Sequence, residues 1–131
     1  MEDEIKLKIR EELAIARKRL KAARLLLKND MLEDSSNRIY YSVFFAAKAV
    51  LNSLGHDAKT HSGLLTQFGL RVVKEKLMPD KYGQTLRKTL ELRESSDYEV
   101  GIVLEKKEIT DLLRDAEDFL AKAEKFVKER L

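Results

Sequence analysis

Apolar residues in the first part of the chain recur every three or four positions, which is the spacing of one face of an α-helix. The residues on this face are Ile5, Ile9, Leu13, Ala16, Leu20, Ala23 and Leu27. Such a face has to be covered by other elements, because tertiary packing of the apolar side stabilises most helices in proteins. The pattern therefore predicts a long first helix, from about Asp3 to Lys28, packed against a helical core.

A second segment is apolar around most of its circumference, which predicts the central and most buried helix. Its apolar side chains crowd the range Ile39–Leu51, and the helix is expected to run to about Leu54. Gly55 suits the turn that ends it. The apolar run is preceded by three residues whose side-chain oxygens suit an N-cap, namely Asp34, Ser35 and Ser36.

The rest of the chain divides into three further helices. A third is predicted from a Thr60 cap to Leu77, a fourth from about Lys81 to Ser96 after Pro79, and a last from about Lys106 to Arg130, with an extended connector from Tyr98 to Leu104. The pattern predicts an all-α fold, an up-and-down four-helix bundle with an additional short helix. A length of 131 residues fits a single domain, 1–131.

Composition narrows the class of protein. The chain has no cysteine, which excludes thiolate chemistry. With 44% hydrophobic residues, 37% charged residues and a net charge of +3, it is too apolar for a disordered chain. Neither a signal peptide nor an apolar run of roughly 20 residues is present, so a cytoplasmic protein with no membrane contact is expected. Heavy use of Lys, Arg and Glu resembles the composition of thermophile proteins.

Common cofactor and metal signatures do not match. The segment from Gly55 to Thr60 lacks a glycine before Lys59 and follows a helix, so it is not a phosphate loop. The two histidines, His56 and His61, are five residues apart and do not share a helix face. No metal site and no cofactor are expected.

Aromatic residues crowd the segment from Asn37 to Ala49, which also carries Arg38 and Lys48. Core packing explains its phenylalanines. Tyr40 and Tyr41 differ, because a buried hydroxyl needs a hydrogen-bond partner. One of these two tyrosines is therefore expected to reach a polar cleft.

The start of the third helix is a candidate anion site, with Lys59, Thr60, His61 and Ser62 in sequence. Helix N-termini present unpaired amides and a positive dipole end to phosphates and carboxylates. Capping alone remains an alternative explanation for the hydroxyl residues.

The end of the fourth helix carries Arg93 and, one turn later, Asp97, followed by Tyr98. A helical ion pair is one interpretation. However, Arg93 and Asp97 continue the apolar stripe of Leu86 and Leu90, so both are expected to point inward. A buried arginine needs a carboxylate or a bound anion, because an uncompensated buried charge is costly.

These three segments together resemble the small prokaryotic branch of the HEPN family. The matching features are Asn-Arg-x-Tyr-Tyr-x-x-Phe-x-Ala-Ala-Lys-Ala from Asn37, Lys-Thr-His-Ser-Gly from Lys59 and Arg-x-x-x-Asp-Tyr from Arg93. The resemblance covers nearly the whole chain. It implies a helical bundle, often a homodimer, that acts on RNA or nucleotides and is paired with a minimal nucleotidyltransferase in a toxin–antitoxin-like system.

Active members of that family are metal-independent endoribonucleases in which four to six residues separate an arginine from a following histidine. From Arg93 those offsets give Tyr98, Glu99 and Val100, so the motif histidine is missing. Proton transfer near neutral pH suits an imidazole, whereas Asp97 would need a strongly raised pKa. His61 could supply the imidazole only if the start of helix three meets the end of helix four.

Three functions stay open. The first is a non-catalytic binding subunit for a nucleotide or RNA, with Arg93, Asp97 and Tyr98 lining the cleft and Tyr41, Lys59 and His61 contributing. A second is a ribonuclease toxin with an altered motif, whose catalytic candidates are Arg93, Asp97 and His61. The third is a structural helical adaptor with no cleft.

Overall fold

The computed structural model describes residues 2–98 and 103–131, apart from the side chains of Asp97 and Tyr98. These ranges form five α-helices and one π-helical turn and contain no strand, which confirms the all-α prediction. The elements are α1 Asp3–Lys28, α2 Leu32–Ser53, α3 His61–Phe68, the π-helical turn Gly69–Val73, α4 Asp80–Tyr98 and α5 Lys106–Lys128. None of the described helices combines the length and apolarity needed to cross a bilayer.

Helix α2 lies at the centre of the bundle. It contacts α1 most extensively and also packs against α3, α4 and α5. Its buried residues lie around most of the helix, whereas α1 and α5 each bury a stripe of side chains at three- and four-residue spacing. The prediction of a central second helix is therefore confirmed, and every other helix is placed relative to it.

The predicted N-cap of α2 is wrong. The helix begins earlier, at Leu32, and its N-cap residue Met31 makes no side-chain capping bond. Ser35 is fully buried inside the helix, where its Oγ donates to the carbonyl oxygen of Ala23 in α1 at 2.8 Å. Ser36 Oγ donates to the carbonyl of Glu33. The Ser35 hydroxyl thus bonds across the tight contact between α1 and α2, called the seam below, and the Ser36 hydroxyl bonds within α2.

The third helix ends earlier than predicted. After Phe68 the backbone widens into the π-helical turn, in which the amide of Lys74 donates to the carbonyl of Gly69 at 2.9 Å. The segment ends before Leu77, since Lys76 adopts a left-handed backbone with φ of 59°. Helix α4 then starts at Asp80, one residue after Pro79, and runs through Tyr98, the first residue of the predicted connector. Residues 99–102 of that connector lie outside the described residues.

Candidate functional site

The side of α2 that turns away from α1 carries the aromatic residues. Tyr40 is 1% exposed, and Phe44 lies one turn further along the helix, half-buried. The Tyr40 ring lies 5.1 Å from the Tyr41 ring, edge to face, and 5.8 Å from the Phe44 ring. These contacts make a ring surface that is closed beneath Tyr40 and open at Tyr41 and Phe44.

Helix α3 delivers His61 to this surface as its first residue. The imidazole stacks on Phe44 with 4.8 Å between ring centres and on Tyr40 with 5.5 Å. The Tyr40 hydroxyl and His61 Nδ1 also share a hydrogen bond. Tyr40 is therefore the buried tyrosine whose hydroxyl finds a polar partner.

The turn before His61 is fixed by a cap. Thr60 Oγ1 accepts a hydrogen bond from the Gly63 amide at 2.8 Å, so the predicted N-cap of the third helix is confirmed. A Cβ on residue 63 would lie 2.7 Å from that same oxygen. Glycine at position 63 leaves room for this cap, because a larger residue would displace the Thr60 hydroxyl.

Helix α4 supplies the cation. The guanidinium carbon of Arg93 lies 5.2 Å from the ring centres of both Tyr40 and Tyr41. Arg93 itself is half-buried, and the same helix buries Leu86 and Leu90, as the sequence predicted. Contact with two rings restricts the guanidinium more than one would, since each attracts the cation through its negative face. The five residues Tyr40, Tyr41, Phe44, His61 and Arg93 are called the site cluster below.

Electrostatics in the site cluster set the protonation state of its two hydrogen-bonded members. Burial raises the pKa of Tyr40, and nearby Arg93 only partly opposes this. The pKa of His61 is lowered by burial and by the charge of Arg93, while Glu94 acts in the opposite sense. At neutral pH the tyrosine thus keeps its proton and the imidazole is mostly neutral.

The protonation state limits the roles of the two ring nitrogens of His61. When the Tyr40 hydroxyl donates to Nδ1 of the neutral ring, the ring proton lies on Nε2. Nε2 can donate a hydrogen bond to an acceptor such as a phosphate oxygen. Arg93 adds planar, charged donors for the same kind of acceptor. The site cluster is thus chemically suited to an anion bound beside aromatic faces.

The structure brings together three of the residues singled out in the sequence: Arg93, Tyr41 and His61. Of the others, Thr60 uses its hydroxyl in the cap, while Lys59 and Ser62 are exposed on either side of His61. The side chains of Asp97 and Tyr98 lie outside the described residues, and with them the predicted Arg93–Asp97 pair.

Sequence reasoning missed the roles of Phe44 and Glu94. Phe44 was interpreted as core, yet it is half-exposed and stacks on His61. The spacing of Tyr40, Phe44 and Lys48 at steps of four was the signal, because it places two rings and a cation on one face of α2. No pattern in the sequence pointed to Glu94, whose negative charge on α4 acts to raise the pKa of His61 on α3.

Comparison with known proteins identifies the family of the chain. The HEPN domain model matches residues 9–127, nearly the full chain, and the chain therefore belongs to the HEPN family.

Several curated proteins are similar to the chain over most of their length. A UPF0332 protein of Thermotoga maritima is 35% identical over 114 residues, which is 87% of this chain and 86% of the relative. A Methanocaldococcus jannaschii protein named "Putative toxin" is 35% identical over 127 residues, 94% of each chain. A UPF0332 protein of Archaeoglobus fulgidus is 34% identical over 97% of this chain and 98% of its own.

Proposed function

We propose that this HEPN protein binds single-stranded RNA, with a phosphodiester held between Arg93 and His61, as the binding subunit of a toxin–antitoxin-type pair. The observation that carries the proposal is the guanidinium of Arg93, held 5.2 Å from two tyrosine rings beside the imidazole of His61. Two relatives have the word toxin in their names, which supports our assignment of this chain to a toxin–antitoxin-type pair.

The chemistry of the site cluster favours an unpaired RNA segment over a duplex. Guanidinium groups form paired hydrogen bonds with phosphate oxygens, and the Nε2–H of His61 adds a neutral donor. Arg93 lies over the Tyr41 ring and His61 stacks on Phe44, but both aromatic residues are half-exposed, so the open part of each ring can contact a base. Stacking on aromatic side chains requires bases that are splayed out, as in single strands, loops and bulges.

Fluorescence anisotropy with a labelled single-stranded RNA tests the proposal directly. Hydrogen bonds to a charged group contribute about 1.5–3 kcal/mol, so Arg93→Ala should weaken binding by roughly ten- to a hundredfold. Arg93→Lys should recover only part of the affinity, because lysine lacks the planar fork. Competition by a mononucleotide would distinguish a nucleotide ligand from RNA.

Arg130 offers a matched control for that experiment. Its guanidinium carbon lies 3.4 Å from the Phe126 ring centre, so Arg130→Ala also removes a cation–π contact. Arg130→Ala should leave the affinity unchanged. If Arg93→Ala lowers thermal stability while RNA binds as before, Arg93 is structural and the chain is a helical adaptor.

Metal-independent RNA cleavage is the second candidate function, and the contact of His61 and Arg93 with the same tyrosine favours it. When Tyr40 donates to Nδ1, Nε2 carries the ring proton, so His61 cannot act as a base through Nε2 until that proton moves. We therefore expect little cleavage in the presence of a chelator, and His61→Ala should abolish what there is. Robust cleavage by His61→Ala would transfer the chemistry to Arg93 and Asp97.

The proposal extends to the assembly. A homodimer and a minimal nucleotidyltransferase partner fit a HEPN protein of this type, and the half-exposed rings of Tyr41 and Phe45 offer apolar surface for a second protomer. Sedimentation equilibrium at tens of micromolar, an order-of-magnitude loading at which specific dimers persist, should show twice the 15.2 kDa of the chain. A monomer would contradict the proposed homodimer.

A further inference from the structure

The loop between α2 and α3, residues 54–60, determines where His61 lies, because His61 follows it directly. One side chain in this loop reaches two different helices. Asp57 Oδ2 accepts from Lys8 Nζ of α1 at 3.1 Å, and Asp57 Oδ1 lies 3.7 Å from Lys48 Nζ of α2. A single carboxylate thus joins the loop to both α1 and α2.

Lys48 connects this charge cluster to the site cluster. Its side chain is 19% exposed, and its Nζ lies 5.9 Å from the ring centre of Phe44. Phe44 in turn stacks on His61. The lysine that binds the loop therefore also borders the ring on which the imidazole rests, so the loop and the stacking surface share one anchor.

The charges around the loop are balanced, which argues against an anion site at Lys8 and Lys48. Both lysines face Asp57, and a second carboxylate, Glu12, is buried nearby and accepts from Asn52 Nδ2 at 2.8 Å. Although burial of Asp57 acts in the opposite sense, its lysine partners lower its pKa, so this carboxylate is ionised at neutral pH. The two lysines are already compensated within the protein.

The contacts of Asp57 with Lys8 and Lys48 are called the clamp below. The other contacts of the loop do not connect its middle to α1. Ala58 is buried, with 6% exposure, and the Thr60 hydroxyl caps α3, but neither contact involves a long side chain that reaches α1. The amides of the first three loop residues donate to carbonyls at the end of α2, so the loop is also held at its N-terminal end. The clamp on Asp57 restrains the middle of the loop, three residues before the cap.

We infer that Asp57 is a positioning residue, whose contacts with Lys8 and Lys48 hold the loop so that His61 rests against Tyr40 and Phe44. The consequence for RNA binding rests on the proposed function, but the placement of the imidazole does not. Loss of the clamp should release His61 toward solvent and away from Arg93.

NMR titration of the His61 ring measures this placement without any RNA. Around the ring the charged and titratable groups are Tyr40 and Tyr41 from α2 and Arg93 and Glu94 from α4. In Asp57→Asn a released ring gains water and leaves Arg93, so the pKa of His61 should move up toward the ordinary imidazole range. The signals of the two histidines are distinguished with His56→Gln.

The direction in which the pKa of His61 shifts in Asp57→Asn separates a loss of positioning from a direct effect of the removed charge. If the loop stays in place, removing the negative charge of Asp57 leaves Lys8 and Lys48 uncompensated, and their field should lower the pKa of His61. A downward shift, or none, would therefore overturn the inference. Asp57→Glu should restore the native titration, because a longer carboxylate still reaches both lysines.

A matched control removes an ion pair elsewhere. Asp30 Oδ1 accepts from Lys106 Nζ at 2.6 Å, so Asp30→Asn also deletes one carboxylate from an exposed pair between segments. Asp30→Asn should leave the titration of His61 unchanged; an equal shift in both variants would contradict a specific role for Asp57. An upward shift in Asp57→Asn with no RNA binding by the native protein would reject the proposed function and keep the positioning role.

Discussion

The two sides of α2 differ in side-chain size and in exposure. Toward α1 the helix presents small side chains, and the hydroxyl of Ser42 donates to the carbonyl of Ala16 at 2.8 Å, as Ser35 does to Ala23. Away from α1 it presents large rings, of which Tyr41 and Phe44 remain half-exposed. The first side is sealed by backbone contact, and the second keeps an open surface.

The difference predicts different consequences of substitution on the two sides. In the seam, close packing of small residues buries backbone and side chain together. The rings of the site cluster instead gather a guanidinium and an imidazole from two other helices. We expect changes in the seam to alter stability, and changes in the site cluster to alter ligand binding.

The largest expected effect lies in the seam. Ala46 is fully buried one turn after Ser42, so Ala46→Leu forces a larger side chain into a closed space and should cost roughly 1–3 kcal/mol in free energy of unfolding. Phe45→Leu, at the adjacent half-exposed position, should cost less than about 1.5 kcal/mol. Urea unfolding of both variants measures the contrast. Equal losses would mean that the two sides of α2 are packed alike.

A smaller effect is expected at the cap that presents His61. Thr60→Ala removes the acceptor for the Gly63 amide and should lower stability by about 1 kcal/mol, the usual cost of losing an N-cap. Thr110 is the control, because its hydroxyl donates to a carbonyl one turn back in an exposed part of α5. Thr110→Ala should be nearly neutral in thermal melts. A neutral Thr60→Ala would show that the cap is dispensable.

The smallest effect depends on pH and concerns the charged end of the seam. Burial raises the folded-state pKa of Glu12 despite its hydrogen bond from Asn52 and the field of Lys48. A raised carboxyl pKa destabilises the fold above that pKa, and the penalty disappears as pH falls below the unfolded value. Glu12→Gln should therefore melt slightly higher than the native chain at pH 7.5, at roughly 3–5 °C per kcal/mol.

The same comparison at acidic pH supplies the check. Below the unfolded-state pKa both residues are neutral, so the difference in melting temperature should vanish by about pH 3.5. A native chain that is more stable than Glu12→Gln at pH 7.5 would mean that the attraction of Lys48 outweighs the cost of burial.

Sequence reasoning predicted the helices better than the site. Residue spacing along α1 and α5 gave those helices within about two residues, because one buried face leaves a clear period. The start of α2 was mistaken since Ser35 satisfies its hydroxyl across the seam, a tertiary contact that no local pattern encodes. Arg93 and His61 were identified singly. Their meeting at Tyr40 depends on how α3 and α4 pack on α2.

The most direct test of the central claim is an NMR titration of the isotope-labelled protein with a short single-stranded RNA. The largest shifts should fall on Tyr41, Phe44, His61 and Arg93, and Arg93→Ala should remove them while the fold persists. Shifts confined to α5 or to the outer face of α1, with the site cluster unmoved, would contradict the claim that this open side of α2 is the RNA-binding surface.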